Sequence, residues 1–311
     1  MNSEIINDMF ELIDCPVCGE NSHKPYFSIP YGSLAEKPSL DYSSLGVSQE
    51  TVLYVKKCLQ CEFVFVNPRV KPEFEFLVYN ESKKNMYINK PYLKEPWTFE
   101  NKMRMRVEKI NHLRPLLICL NRKNGKKDLK FLDYGAGFGN AMSWAEHLGI
   151  ESYGVDIDRE RLGACEKMNL KVSTPEKFDT HYPNIKVDVI LLQSCIEHII
   201  DLQAAMMFIA EHSNPGALVW VNALTPRLIK VEKRKGLYVK SHFLEHVNYF
   251  TFNNLDLLFN NYGFKPVKNR FTYPIVRNFK DFTRLIIQLL APPSLHAFVN
   301  MEITRLFEYR A

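Results

Sequence analysis

The chain has 311 residues, of which 46% are hydrophobic and 24% are charged. This is the composition of an ordinary globular protein, and the length allows one large domain with an added module. The formal net charge of +5 is too small to indicate a nucleic-acid-binding protein. The N-terminus lacks the basic and apolar regions of a signal peptide, and no stretch suits a spanning helix. We therefore expect a cytoplasmic protein with no membrane span and no DNA partner.

Four of the seven cysteines lie in two CxxC pairs, which are formed by Cys15, Cys18, Cys58 and Cys61. In a reducing compartment such pairs indicate metal binding more than disulfide formation. Four thiolates can enclose one zinc ion and leave no position for water, so the pattern predicts a structural zinc site. A redox pair or plain buried thiols are the alternatives. The remaining cysteines are expected to be buried thiols, namely Cys119, Cys165 and Cys195.

The turn-rich residues 1–70 are predicted to form a zinc-ribbon module with strands at Thr51–Lys57 and Glu62–Val66. Residues 71–125 are predicted to form an aromatic and helical linker and cap, with a long helix from Thr98 to about Leu120. The aromatic side chains of this region, including Tyr79 and Trp97, are interpreted as packing residues.

Strands and helices alternate over residues 126–270, which predicts an α/β fold with an open, parallel, Rossmann-like sheet. The predicted strands are Leu129–Asp133, Glu151–Asp156, Val187–Leu192 and Ala217–Asn222. The predicted helices are Ala141–Leu148, Arg159–Met168, Leu202–Glu211 and Asn253–Asn261. Arg227–Lys240 is predicted to be a basic, solvated loop, and residues 271–311 a C-terminal helical segment.

The most informative segment runs from Phe131 to Asn140, where a strand leads into a glycine-rich turn and then into a helix. Glycines there permit positive φ and the close approach of a ligand to the backbone. The spacing is D-x-G-x-G-x-G, formed by Asp133, Gly135, Gly137 and Gly139. The dinucleotide-binding pattern is G-x-G-x-x-G, so the third glycine comes one residue early here and an acid precedes the first.

This turn resembles motif I of the class I S-adenosylmethionine-dependent methyltransferases. Asp156, at the end of the next strand, stands where that family places the acid that binds the ribose. Val187–Asp201 is similar to the family's fourth strand with its Glu-His pair, and Asn214–Asn222 is similar to the turn into strand five. A Rossmann-like domain for another ligand is the alternative.

The resemblance covers about residues 129–222 and implies S-adenosylmethionine as the cofactor. Its methionine and ribose would be lined by Gly135, Gly137 and Gly139. Asp133 would organise its amino end, Asp156 would bind the ribose, and Gln193 would lie near the methionine. His198, in the Glu-His pair, is interpreted as structural, with a position near the cofactor as the alternative.

The candidate acceptor segment is Lys240–Thr251, which holds two histidines, a glutamate and a tyrosine. Histidine titrates near neutrality and suits a general base, and an adjacent carboxylate can orient it. With the CxxC pairs, this segment resembles the Glu-His-x-x-Tyr-Phe stretch of bacterial deoxysugar methyltransferases, which act on nucleotide-linked sugars and carry a four-cysteine zinc module. The resemblance places Glu245 and His246 at the substrate, with His246 as the general base.

We therefore expect methyl transfer to a small-molecule acceptor, a sugar or nucleotide-linked sugar. The carbon-methylating relatives carry a further C-terminal domain that this sequence does not show, so O- and C-methylation both remain open. The basic segment Arg227–Lys240 could hold the phosphate of an anionic acceptor. Two alternatives are an RNA or protein methyltransferase with the ribbon as recognition module, and a non-catalytic cofactor-binding protein.

Overall fold

The computed structural model describes residues 8–34, 42–79, 91–98, 100–101, 103–104, 113–123, 128–236, 243–267 and 302–310. Within this part of the chain, a four-stranded antiparallel sheet lies beside a seven-stranded mixed sheet with flanking helices. The second sheet has the Rossmann-like architecture that the alternation of strands and helices predicted. None of the helices in the described ranges is long and apolar enough to cross a membrane.

The N-terminal strands are β1 (Phe10–Glu11), β2 (His23–Pro30), β3 (Val52–Cys58), β4 (Val64–Val66) and β5 (Arg69–Val70). A hairpin carries the second CxxC pair, because β3 and β4 pair antiparallel on either side of it. The predicted strands of the zinc-ribbon region are therefore confirmed, with a later start for the second. Of the predicted helix from Thr98 to Leu120, residues 113–120 belong to α1 (Leu113–Arg122), and residues 105–112 lie outside the described ranges.

The next elements alternate between strand and helix in the order β6, α2, β7, α3, β8, α4, β9, α5 and β10, of which β8 and α4 were not predicted. Their bounds are Lys130–Tyr134, Asn140–His147, Glu151–Val155, Arg159–Glu166, Lys171–Ser173, Phe178–His181, Val187–Gln193, Leu202–Glu211 and Ser213–Leu224. These strands pair in parallel in the order β10-β9-β6-β7-β8. The carboxyl ends of β6, β7 and β9 therefore meet at one edge of the sheet, where ligands bind in open α/β folds.

Hydrophobic patterning explains why this sheet lies in the core. The first six residues of β9 are buried, which is typical of a parallel strand covered on both faces. Helix α5 buries a single stripe at a spacing of three and four residues, formed by Leu202, Ala205, Met206 and Ile209. Asp201 caps this helix by accepting a hydrogen bond from the Ala204 amide at 2.9 Å.

The remaining elements are α6 (Pro226–Lys235), β11 (Asn248–Tyr249), α7 (Phe252–Asn260), β12 (Phe264–Pro266) and β13 (Glu302–Tyr309). The prediction of a basic loop over Arg227–Lys240 was wrong for residues 227–235, which belong to α6, and residues 237–240 lie outside the described ranges. The apolar stripe of α6 is buried through Leu228 and Ile229, while Lys230, Lys233, Arg234 and Lys235 are exposed. The many basic residues had hidden the amphipathic pattern of this helix in the sequence.

The prediction of a C-terminal helical segment was also wrong for residues 302–309, which form β13. This strand pairs antiparallel with β10, and β12 pairs antiparallel with it at the edge of the sheet. Ile303, Leu306 and Phe307 are buried there. Leu306 and Phe307 are adjacent in sequence and are covered from opposite faces of the sheet, so the segment lacks the clean alternation that marks a strand.

Strand β11 joins the two sheets. It pairs antiparallel with β4 and so completes the N-terminal sheet, although it comes from the C-terminal half of the chain. The fully buried amide of Asn248 donates to the carbonyl oxygens of Ile196 and Ile199 at 3.2 and 2.7 Å, in the loop after β9. A buried side chain thus ties the loop of one sheet to the edge strand of the other.

We predict that Asn248→Ala destabilises the protein by about 3 kcal/mol, because two carbonyl groups lose a buried partner and a cavity remains. Thermal and denaturant unfolding would measure the change. Asn260→Ala removes an exposed amide at the end of α7 and serves as the control, with an expected change below about 0.5 kcal/mol. Equal stability of the two variants would contradict the bridging role of Asn248.

Candidate functional site

The glycine-rich turn begins where β6 ends. The amides of Gly135 and Ala136 both donate to the carbonyl oxygen of Val155, at 2.8 and 2.9 Å, and this joins the turn to the end of β7. Gly135 has a φ of +83°, and a Cβ there would lie 2.5 Å from the Sγ of Cys195. Backbone conformation and space both require glycine at this position. Helix α2 starts directly after Gly139, so its unpaired N–H groups lie at the same edge of the sheet.

Asp156 follows β7 and is bound to the turn. Its Oδ2 accepts a hydrogen bond from the Gly137 amide at 2.7 Å, and its Oδ1 accepts one from the Asp158 amide at 2.9 Å. Burial raises the pKa of Asp156, and burial together with the charge of Asp156 raises the pKa of Asp133 well above its usual range. The structure therefore brings the predicted acids and glycines together at one edge of the sheet.

Gln193 ends β9 beside these residues. Its side-chain Oε1 is buried and accepts no hydrogen bond from any residue that the structure describes. A buried polar atom without a protein partner is available to a ligand. After Ser194, which has a φ of +51°, a turn closes as the His198 amide donates to the Cys195 carbonyl at 2.8 Å. This turn places Glu197 and His198 beyond the glycine loop.

Two histidines meet at this turn. The ring centroids of His198 and His246 are 4.4 Å apart with an interplanar angle of 61°. Glu197, which is 3% exposed, completes the cluster, and burial raises the pKa of its carboxyl to about 8. Although His198 keeps some exposed surface, burial of its ring lowers its pKa to about 3, and the nearby His246 lowers it further. His198 is thus neutral near pH 7.

Glu245 was expected to orient His246, and the structure shows each of these two residues in contact with another side chain. Glu245 is buried, and its Oε1 accepts a hydrogen bond from the Tyr42 hydroxyl at 3.1 Å. His246 is half-buried, and its ring contacts that of His198. The structure places the ring of His198 against that of the proposed base.

Two further side chains reach the same region from residues 75–79, which are helical. Burial raises the pKa of Glu75 to about 8, and the nearby carboxylate of Asp156 contributes to the rise. The Tyr79 ring centroid lies 6.2 Å from that of His198. Their spacing of four residues puts them on one helix face, but only the fold brings that face to the edge of the sheet. Tyr79, interpreted from the sequence as packing, therefore lies at the site.

The four cysteines of the CxxC pairs form a second cluster. Their sulfur atoms all lie within 4.8 Å of one another. The Sγ atoms of Cys15 and Cys61 are 3.5 Å apart, and those of Cys18 and Cys58 are 3.6 Å apart. Hydrogen bonding between Cys15 and Cys61 lowers the pKa of Cys61 to about 5, which favours a thiolate there. Cys119 and Cys165 are buried as predicted, whereas Cys195 is half-buried beside Gly135.

Solved structures with a similar fold include three methyltransferases. Plantazolicin methyltransferase BamL, in complex with a triazolic desmethylPZN analog and SAH, is 13% identical with a TM-score of 0.45, over 75% of this chain and 98% of that chain. Magnesium protoporphyrin IX methyltransferase from Synechocystis PCC 6803, with bound SAH, is 13% identical with a TM-score of 0.45, over 74% and 99%. A SAM-dependent methyltransferase from Archaeoglobus fulgidus is 16% identical with a TM-score of 0.42, over 62% and 94%.

A sequence profile described as a methyltransferase domain matches residues 104–269, which is more than half of the chain. The matched region contains the elements from α1 to β12, and with them the glycine turn, Asp156 and the two histidines. No curated protein matches the chain at a significant level.

The glycine turn gives a test that depends on the fold alone. Gly216→Ala introduces only backbone strain, because its φ is +75° and a Cβ would meet nothing within 4 Å, so we expect a loss of about 1 kcal/mol. Gly135→Ala adds the contact with Cys195 and is expected to cost about 1–3 kcal/mol more. Chemical denaturation of both variants would measure the difference, and equal losses would contradict the close packing of the turn.

Proposed function

The chain belongs to the methyltransferase domain family and is an S-adenosylmethionine-dependent methyltransferase, and we propose that it methylates a small molecule at the edge of the seven-stranded sheet. The observation that carries the proposal is the meeting of His198 and His246, 4.4 Å apart, beyond the glycine turn. A methyl acceptor bound there would lie between the cofactor side of the sheet edge and the imidazole of His246.

The cofactor would be held by the residues that converge on this edge. The backbone could be approached closely at Gly135, Gly137 and Gly139. Each carboxylate oxygen of Asp156 accepts one amide hydrogen bond and has a lone pair left, with which it would accept a hydrogen bond from a ribose hydroxyl. Asp133 would organise the amino end. The buried Oε1 of Gln193, which has no partner in the described residues, would accept a hydrogen bond from the methionine moiety. S-adenosylmethionine then supplies the methyl group for an in-line displacement.

His246 is proposed as the general base. As the acceptor atom forms its bond to the methyl carbon, the bond from that carbon to sulfur breaks and neutral S-adenosylhomocysteine leaves. The proton of the acceptor passes to the imidazole of His246. Glu245 lies beside this base, with its carboxylate oriented by the Tyr42 hydroxyl. A neutral His198 at close range adds no positive charge that would oppose protonation of His246.

The proposed acceptor is a sugar or a nucleotide-linked sugar, methylated at oxygen or carbon. Support comes from the similarity of residues 245–250 and of the four cysteines to the deoxysugar methyltransferases. The exposed basic residues of α6 add a second argument, because this helix starts near the carboxyl end of β10 and could attract an anionic acceptor. Incubation with S-adenosylmethionine and a panel of nucleotide sugars, read by mass spectrometry, would identify the acceptor by the gain of one methyl group.

For that acceptor, His246→Ala is predicted to lower kcat by about a hundredfold or more, because proton transfer loses its base. Its affinity for S-adenosylhomocysteine, measured by calorimetry, should stay unchanged. Asp156→Ala provides the opposite pattern, since it should weaken cofactor binding before any chemistry occurs. Full turnover by His246→Ala would remove this residue from the mechanism.

We further propose that the four-cysteine cluster holds a structural zinc ion. Tetrahedral ligation with Zn–S bonds of about 2.3 Å sets sulfur atoms about 3.8 Å apart. The Sγ distances of 3.5 Å from Cys15 to Cys61 and 3.6 Å from Cys18 to Cys58 are close to this value. Four thiolates would fill the coordination sphere. The amide of Asn254 donates to the Cys61 carbonyl at 2.7 Å, so the ion would also fix the contact between the module and α7.

Purified protein dialysed against a mild chelator is predicted to retain one zinc ion per chain by elemental analysis. Cys58→Ser should lose that zinc and lower the melting temperature, because folding and metal binding are coupled at such sites. Cys119→Ala removes a buried thiol outside the cluster and should keep its zinc. Equal zinc content in all three proteins, or none in the wild type, would refute a zinc site at these cysteines.

A further inference from the structure

Two polar atoms beside the proposed base have no role in the mechanism above. The Oε2 of Glu197 and the Nδ1 of His198 are both buried, and neither has a hydrogen-bond partner within the described ranges. Glu197 is 3% exposed, so its carboxyl group is almost fully removed from water. Leaving such atoms unsatisfied costs about 1–3 kcal/mol each. A ligand that binds both atoms would remove this cost.

The geometry of the cluster identifies the chemistry of that ligand. Glu197, His198 and His246 each offer one ligand atom, and these atoms all lie within 4.8 Å of one another. Bonds of about 2.0–2.2 Å to a tetrahedral zinc ion separate two ligand atoms by about 3.4 Å. Side-chain rotations that bring these atoms closer by up to about 1.4 Å would therefore close the site.

The surroundings of His198 fit such a role. A metal-bound histidine commonly donates the N–H of its other ring nitrogen to a backbone carbonyl or a carboxylate, which fixes the ring. The Glu245 backbone lies close enough to His198 to raise its pKa, as a hydrogen-bond acceptor does, while Nδ1 is the ring atom without a partner in the described residues. That nitrogen is therefore the one available to a cation.

We propose that Glu197, His198 and His246 form a second metal site, for a divalent cation of the zinc type, that competes with the action of His246 as base. Two imidazoles and one carboxylate suit zinc, cobalt or iron, whereas magnesium prefers oxygen ligands. Three protein ligands leave a coordination position open to water, so this cation exchanges more readily than one enclosed by four cysteines.

The competition rests on the proposed function. A neutral imidazole has a single unprotonated nitrogen, and ligation of a cation through that nitrogen leaves His246 nothing with which to accept a proton. Occupation of the site should therefore inhibit methyl transfer. Binding of the metal does not depend on the role of His246 as base and can be measured without an enzyme assay.

The first experiment titrates Zn²⁺ into full-length protein whose cysteine cluster is already filled, with calorimetric detection. We expect one additional equivalent to bind. Glu197→Gln keeps the shape of the side chain but cannot form a carboxylate ligand, and it should weaken this binding about tenfold or more, as should His198→Ala. His147→Ala removes an exposed histidine outside the cluster and should bind like the wild type. Absence of the second equivalent, or unchanged affinity in both cluster variants, would overturn the proposal.

Co²⁺ added to the zinc-filled protein gives an independent readout. Binding at Glu197 and the two histidines should produce visible d–d bands without the thiolate-to-cobalt charge-transfer band in the near ultraviolet. A strong charge-transfer band would show that cobalt has entered the cysteine cluster and would count against the second site.

Enzyme assays then separate this inference from the proposed function. Zinc concentrations that fill the second site should inhibit methyl transfer, and a chelator should restore it. Binding without inhibition would uphold the metal site and refute His246 as the base. Failure of zinc to bind, together with loss of turnover in His246→Ala, would refute the metal site and leave the base in place.

Discussion

The buried side chain of Asn248 connects parts of the molecule that lie far apart in the sequence. Its amide donates to two carbonyl groups in the loop after β9, and its Oδ1 lies 3.5 Å from a guanidinium nitrogen of the buried Arg69. The flanking backbone adds to the same junction, because the amides of Val247 and Asn248 both donate to the Glu197 carbonyl. Since these groups are removed from water, each must find its partner within the protein. The loop and β11 can therefore exist only in one mutual arrangement.

That arrangement determines what the methyltransferase can do. The loop carries Glu197 and His198, and the residues just before β11 are Glu245 and His246, so the junction sets one histidine against the other. β11 also completes the sheet of the cysteine module through its pairing with β4. The proposed zinc ion and the proposed base would thus be supported by one framework.

The sequence predicted the cofactor edge of the fold better than its periphery. Strands β9 and β10 have strong hydrophobic runs, whereas the short strand β8 has a single apolar residue and was not predicted. The glycine turn has a spacing that few functions require. Helix α6 was mistaken for a loop because its basic residues hid the buried Leu228 and Ile229. Strand β13 was mistaken for helix because both of its faces are covered. The contact of His198 with His246, and the approach of Tyr79, depend on tertiary packing between segments that share no local pattern.

In the proposed mechanism, cofactor and base face each other across the edge of the seven-stranded sheet. A crystal structure of the complex with S-adenosylhomocysteine would show whether they do. We expect the ribose hydroxyls to bind Asp156 and the sulfur atom to point toward the imidazole of His246, with open space for an acceptor between them. A bound cofactor whose sulfur points away from His246, or is separated from it by packed side chains, would refute this arrangement.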